Sequence, residues 1–149
     1  MIKKIATLAC VFVLTSAFSI PSQAELYTNF YNNTKEALKI TKIVMPSDHQ
    51  TNANFGIEIK PQPNGYPPHI WFKANSHRSG PYCLREITVA ISSALNPKNF
   101  CLFTIPYTLD KYGREDFSGS YRIDSYGDFH CYLNDRNGNT AHLNLDRKK

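Results

Sequence analysis

The chain has 149 residues, 42% of them hydrophobic and 19% charged, with a formal net charge of +5. That is enough for one core and too little for several. The positive excess is mild and gathers only at Arg147-Lys148-Lys149, a solvated tail, so nothing here forms the basic stripe a nucleic-acid binder needs.

The N-terminus points to export. Met1 to Lys4 is short and basic, Ile5 to Ile20 is mostly apolar, and Ser22-Gln23-Ala24 has small residues where a signal peptidase needs them. The apolar run falls short of the ~20 residues that span a bilayer. Residues 1–24 therefore read as a cleaved signal peptide rather than an uncleaved anchor. A lipoprotein reading through Cys10 fails, because Thr7-Leu8-Ala9 makes a poor preceding box. The remainder, 25–149, reads as one domain without a transmembrane segment, placed in the periplasm or outside the cell.

Alternation at a period of two marks half-buried strands along most of that remainder. Leu26 to Asn32 is aromatic and alternating, and Asn32-Asn33-Thr34-Lys35 is a turn. Ala37 to Met45 is a strand, because the β-branched Ile40, Thr41, Ile43 and Val44 outweigh its helix formers. Leu38, Ile40 and Val44 share one side of it. Phe55, Ile57 and Ile59 alternate with Gly56, Glu58 and Lys60 as a further strand. Lys60 to His69 carries four prolines and an Asn-Gly, which makes a stiff, protruding connection. His69 to Ala74 is the next strand.

The clearest stretch is Tyr82 to Leu109. Cys83, Ile87, Val89 and Ile91 share one parity, and Cys101, Phe103, Ile105 and Leu109 share another. Asn96-Pro97 turns the chain between them, so the pair reads as a β-hairpin. Pro106 has no N–H to give a ladder, which predicts an edge or a bulge there. Asp110 to Gly119 is a charged surface loop. Tyr121 to Tyr126, Phe129 to Asn134 and Thr140 to Asp146 follow as strands, with tight turns at Gly127-Asp128 and at 135–138. About nine short strands and no helix predict an all-β fold, a small antiparallel β-sandwich, immunoglobulin-like or related.

Three cysteines follow the leader: Cys83, Cys101 and Cys131. In an oxidising compartment one disulfide is expected and one thiol is left over. All three lie on inward parities. Cys83 with Cys101 is the least natural pair, since hairpin register sets Cys83 against the far end near Leu109. Cys131 is therefore the favoured partner, with the other half open.

Chemistry-bearing patterns are sparse. His49, His69, His77, His130 and His142 show no metal-ligand spacing, and the cysteines form no paired C-x-x-C, so neither a metal nor a cofactor is called for. No Gly-x-Ser-x-Gly and no phosphate-binding glycine loop occurs. His130 and His142 lie on outward parities of neighbouring strands, which allows them to face one another. Asp135, Asn137 and Asn139 around Gly138 weakly resemble a calcium turn, although a plain hairpin turn explains them.

The nine tyrosines, nine phenylalanines and one tryptophan say more. Tyr66, Trp71, Tyr82, Tyr107, Tyr112, Tyr126 and Tyr132 fall in loops, at strand ends or on undecided parities. Rigid rings beside amides give contact area at low entropy cost, although some will fill the core. Tyr66, His69, Trp71 and Tyr82, on and beside the proline-stiffened loop, are the predicted contact site. The run Phe30-Tyr31-Asn32-Asn33-Thr34 followed by Leu38-Lys39-Ile40 resembles the first hairpin of several secreted β-sandwiches, the aegerolysin-like lipid-binding proteins among them. It spans those few residues alone.

The leading expectation is an exported, non-enzymatic binding protein that contacts a glycan, a lipid or a protein surface, with no catalytic residue assigned and the oligomeric state open. One alternative is a small hydrolase assembled from His130, His142, Asp128 or Asp124. Another is an assembly subunit that pairs through an edge strand.

Overall fold

A computed structural model describes residues 25–46, 49–63, 67–74, 85–109, 115–116, 120–137 and 139–149. Those residues form eleven strands and no helix. They are β1 (Glu25–Asn32), β2 (Leu38–Val44), β3 (His49–Thr51), β4 (Glu58–Ile59), β5 (His69–Ala74), β6 (Arg85–Ser93), β7 (Phe100–Leu109), β8 (Glu115–Asp116), β9 (Arg122–Tyr126), β10 (Phe129–Asn137) and β11 (Thr140–Arg147). One sheet runs β10-β11-β1-β5-β3; the other runs β4-β2-β6-β7, with both β8 and β9 on β7. The two sheets form a β-sandwich.

Alternation builds the core. β1 buries Leu26, Thr28, Phe30 and Asn32 and leaves the residues between them half-exposed. Ile70 and Phe72 on β5 and Leu143 and Leu145 on β11 extend that inner face. Opposite stand Ile87, Val89 and Ile91 of β6 and Cys101, Phe103, Ile105 and Tyr107 of β7. Phe30 and Phe103 meet across the sheets with ring centroids 5.4 Å apart. Each such ring removed from water contributes about 2–3 kcal/mol. The inward Thr28 hydroxyl is satisfied by donating to the Ile70 carbonyl at 3.1 Å.

Three ties join the sheets. A disulfide links Cys101 on β7 to Cys131 on β10, with Cα atoms 6.0 Å apart. Cys131 is thus a partner, as parity suggested, and Cys101 is the other half; Cys83 lies outside the described residues. Asn32, fully buried at the end of β1, is the second tie. Its amide nitrogen donates to the carbonyls of Glu36 and Ile59, each at 2.8 Å, and its side-chain oxygen accepts from the Thr34 backbone and hydroxyl. These bonds turn the chain from one sheet into the other. The third is the buried Glu36 carboxylate, which accepts from Ser93 Oγ and from Arg147 Nη2 at 2.6 Å.

The β6–β7 hairpin has the expected simple register, with Arg85 opposite Tyr107 and Ile91 opposite Cys101. The Ser93 hydroxyl accepts the Leu95 and Asn96 amides, and the Asn96 side chain accepts Lys98 N, which closes the turn. Gly127, at φ +63°, turns β9 into β10 against the Asn99 side chain, where a Cβ would collide.

Several expectations need correction. A bulge between Ile40 and Lys42 adds a residue to β2 and swaps the sides beyond it, so Val44 is exposed. Phe55 to Ile57 is not strand. Gly56 sits at φ +84°, Phe55 points into solvent, and only Glu58–Ile59 pairs with β2. Pro106 is unbulged and meets the expectation of an edge only locally, because β7 is flanked on both sides elsewhere along its length. It falls between the stretch of β7 that pairs with β9, ending at Thr104, and the stretch that pairs with β8, starting at Thr108. A missing N–H costs nothing where no strand waits to receive it. Asp135 to Asn137 belongs to β10 rather than to a turn, because a second bulge between Leu133 and Asp135 lets the strand continue beside β11. Asp110 to Gly119 is not wholly loop, since Glu115–Asp116 pairs with β7.

Candidate functional site

The outward positions of the five-stranded sheet carry the unusual chemistry. Core packing requires the inner half of each alternation and leaves the outer half free. On β1 the outer half is Glu25, Tyr27, Asn29 and Tyr31. β5 adds His69, Trp71 and Lys73, β11 adds His142, Asn144 and Asp146, and β10 adds His130 and Tyr132.

Strand register sorts these side chains into rows. Asn29 stands opposite His69 on one side and His142 on the other, and His142 stands opposite Asp135. Tyr27 stands between Trp71 and Thr140. Tyr31 stands opposite Asn144, which stands opposite Tyr132. The β1·β11 pairing is parallel and sets the first and last described strands side by side.

Contacts within the face hold the rings and amides in place. Tyr27 stacks on His69, centroids 4.8 Å apart and planes 19° from parallel. His69 Nδ1 and Asn29 Oδ1 are 3.0 Å apart. The Tyr31 hydroxyl lies 3.0 Å from His142 Nδ1. The Asn52 side chain clips β5 from its edge, donating to the His69 carbonyl and accepting the Trp71 amide, both at 2.9 Å. The Trp71 indole N–H, the Tyr132 hydroxyl and the Asn144 amide bond to no other described residue.

The charged groups of the face are engaged with one another. Glu25 accepts from the Tyr27 hydroxyl and lies 3.1 Å from Lys73 Nζ. Those contacts, the Tyr27 bond foremost, hold the Glu25 carboxyl below its ordinary 4.5, and the same bond raises the Tyr27 phenol. Asp146 accepts from the Asn33 side chain at 2.7 Å, and Asp135 lies 3.8 Å from His142 Nε2.

Of the predicted contact residues, His69 and Trp71 lie on this face; Tyr66 and Tyr82 lie outside the described residues. Of the aromatics left undecided, Tyr107 belongs to the core, and Tyr126 lies on the other sheet, stacked 4.1 Å from Phe100. Residue-by-residue reading missed Tyr27, Asn29, Tyr31, His142 and Asn144 as a group. The alternation of β1 was the available signal, since its outward residues are aromatic or amide at three successive positions.

The expected facing of His130 and His142 does not form. His130 is opposite Asp146 and His142 is opposite Asp135, so the two histidines do not face one another. Asp124 sits on β9 in the other sheet, opposite Leu102. The Asp135–His142–Tyr31 line lies on an open face. Among the described residues no cluster of three His, Cys, Asp or Glu could hold a metal ion. The calcium-turn reading fails because Asp135 and Asn137 are strand residues.

What fold and face define is a β-sandwich with one outer surface of rings, imidazoles and amides. No family model matches this chain, and neither a curated protein nor a solved structure matches it.

Proposed function

We propose that the chain is an exported, non-enzymatic binding protein whose ligand docks on the outer face of the β10-β11-β1-β5-β3 sheet. In this reading residues 1–24 are a cleaved signal peptide and 25–149 are one domain, an immunoglobulin-like or related sandwich, in the periplasm or outside the cell. The glycan, lipid and protein classes of ligand all belong to it. No cofactor takes part.

The observation that carries the reading is the line from Trp71 through Tyr27 and His69 to Asn29 and His142. The core does not use these side chains, and a solvated sheet face has no need of so many rings. Their mutual contacts already fix several rotamers, which lowers the ordering cost on binding.

The test is an array of glycans and lipids probed with the processed protein, wild type beside Trp71→Ala. Loss of signal in the variant with the melting temperature kept supports the reading. Unfolding of the variant, or full retention of binding, counts against it.

A further inference from the structure

Resting on that reading, we infer that the ligand is an uncharged glycan, seated by sugar-ring contact on Trp71 and Tyr27 and by hydroxyl hydrogen bonds to Asn29, Asn144 and His142. A hexose presents two chemistries. Its ring hydrogens make a flat apolar patch, and its rim carries hydroxyls that both donate and accept. The face offers the complement of each. Trp71 stands in register beside Tyr27, whose ring stacks on His69, so three rings lie side by side on the face. Around them stand groups that donate and accept within one side chain: the Asn29 and Asn144 amides, His69 and His142, and the Tyr31 and Tyr132 hydroxyls.

Charge separates this ligand from the others. A phospholipid headgroup or sulfated polymer is captured by unengaged Lys and Arg. Among the described residues, Lys73 is the lysine on this face and is paired with Glu25 at 3.1 Å, and the acids Asp146 and Asp135 face Asn33 and His142. Lys39, Lys42 and Arg122 lie on the opposite sheet. A protein interface has an apolar centre from which charged side chains are depleted, whereas Glu25, Lys73, Asp135 and Asp146 stand among the rings of this face. The large exposed hydrophobics among the described residues are Val44, Phe55, Leu95 and Tyr126. Val44 and Tyr126 are on the other sheet, Phe55 precedes β4, and Leu95 caps the β6–β7 turn. None is on this face.

Size agrees with a chain rather than a single sugar. From β5 to β10 the face crosses three strand spacings, roughly 14 Å at ~4.8 Å each.

The experiment is an isotope-labelled NMR titration of the full chain, expressed with its leader so that the cell processes it. The probes are cello-, xylo-, manno- and laminarihexaose, then phosphatidylglycerol vesicles and heparin. The inference expects at least one neutral hexasaccharide to move the Trp71 indole and the Asn29 and Asn144 amide resonances. That shift should persist at high salt, since no ion pair forms. Trp71→Ala should weaken the same binding roughly tenfold. Trp71→Phe, which keeps a ring should the alanine variant fail to fold, should weaken it less. Shifts of this face by vesicles or heparin alone overturn the glycan inference and leave the binding reading standing. A face that no probe moves likewise overturns the glycan inference alone, since a protein ligand would still fit the binding reading, whereas saccharide binding that ignores both Trp71 variants overturns both.

Discussion

The two outer faces of this sandwich differ in kind although their inner faces are built alike. On the five-stranded sheet the outward rows read Trp71–Tyr27–Thr140, His69–Asn29–His142–Asp135 and Tyr31–Asn144–Tyr132. On the six-stranded sheet they read Lys39–Ser92–Phe100–Tyr126, Lys42–Ala90–Leu102–Asp124 and Val44–Thr88–Thr104–Arg122. On the six-stranded sheet the short Ala90, Ser92 and Thr104 are buried, one pair of rings, Phe100 and Tyr126, stacks in register, and strand propensity accounts for such side chains. Imidazoles and amides stand in the rows of the five-stranded sheet and not in those of the six-stranded one. Both faces sit over the same core, so packing of the interior gives no reason for the difference; the proposed binding role supplies one.

That contrast can be attacked in graded steps. Replacing both Cys101 and Cys131 by serine removes a link across 30 residues of sequence and should cost about 3 kcal/mol. Chemical denaturation of the pair against wild type measures it. The two faces should lose structure together, and survival of one face without the other would show that they do not share an interior. Arg147→Ala comes next. It leaves the Glu36 carboxylate buried with Ser93 alone, at a cost of about 1–3 kcal/mol, the low end applying because Arg147 is itself half-exposed. Equal stability in the variant would mean that the clasp is ornamental.

Smaller effects separate the faces themselves. Trp71→Ala should lower stability by no more than about 1 kcal/mol, and Lys42→Ala on the opposite face should stay within about 0.5 kcal/mol of wild type. Only the first should affect ligand binding. The smallest effect is electrostatic. The depressed Glu25 carboxyl favours the folded state above its unfolded pKa, and that contribution fades as pH falls through the folded value. Tyr27→Phe removes the leading cause, so the Glu25 midpoint, followed by NMR, should rise toward 4.5. A midpoint that stays put would assign the shift to Lys73.

Much of the fold was legible because inward positions must be apolar. The β6–β7 hairpin could be read with its register from Ile87, Val89, Ile91, Phe103 and Ile105 alone, and β5 begins and ends where the alternation said. Failures came where one residue is inserted without a local mark. The bulge after Ile40 sends Val44 outward, and the bulge before Asp135 turns an expected loop into strand. Pro106 announced a gap in the ladder but not its extent, which depends on where β8 and β9 stop. The site was half legible. His69 and Trp71 stood out locally, but Tyr31 meets His142 across a separation of 111 residues, through a parallel pairing that no neighbouring pattern announces.

That parallel seam also sets a schedule. β1 is made first among the strands and β11 last, yet β1 lies inside its sheet with β11 on one flank. The backbone amides and carbonyls on that flank stay vacant until Thr140 to Leu145 has been made, so closure depends on a contact between strands far apart in sequence and is expected to be slow. A chain cut short before Thr140 would hold β1 open as a template for a neighbour's strand, and aggregation of such truncations is the cost of sewing beginning to end.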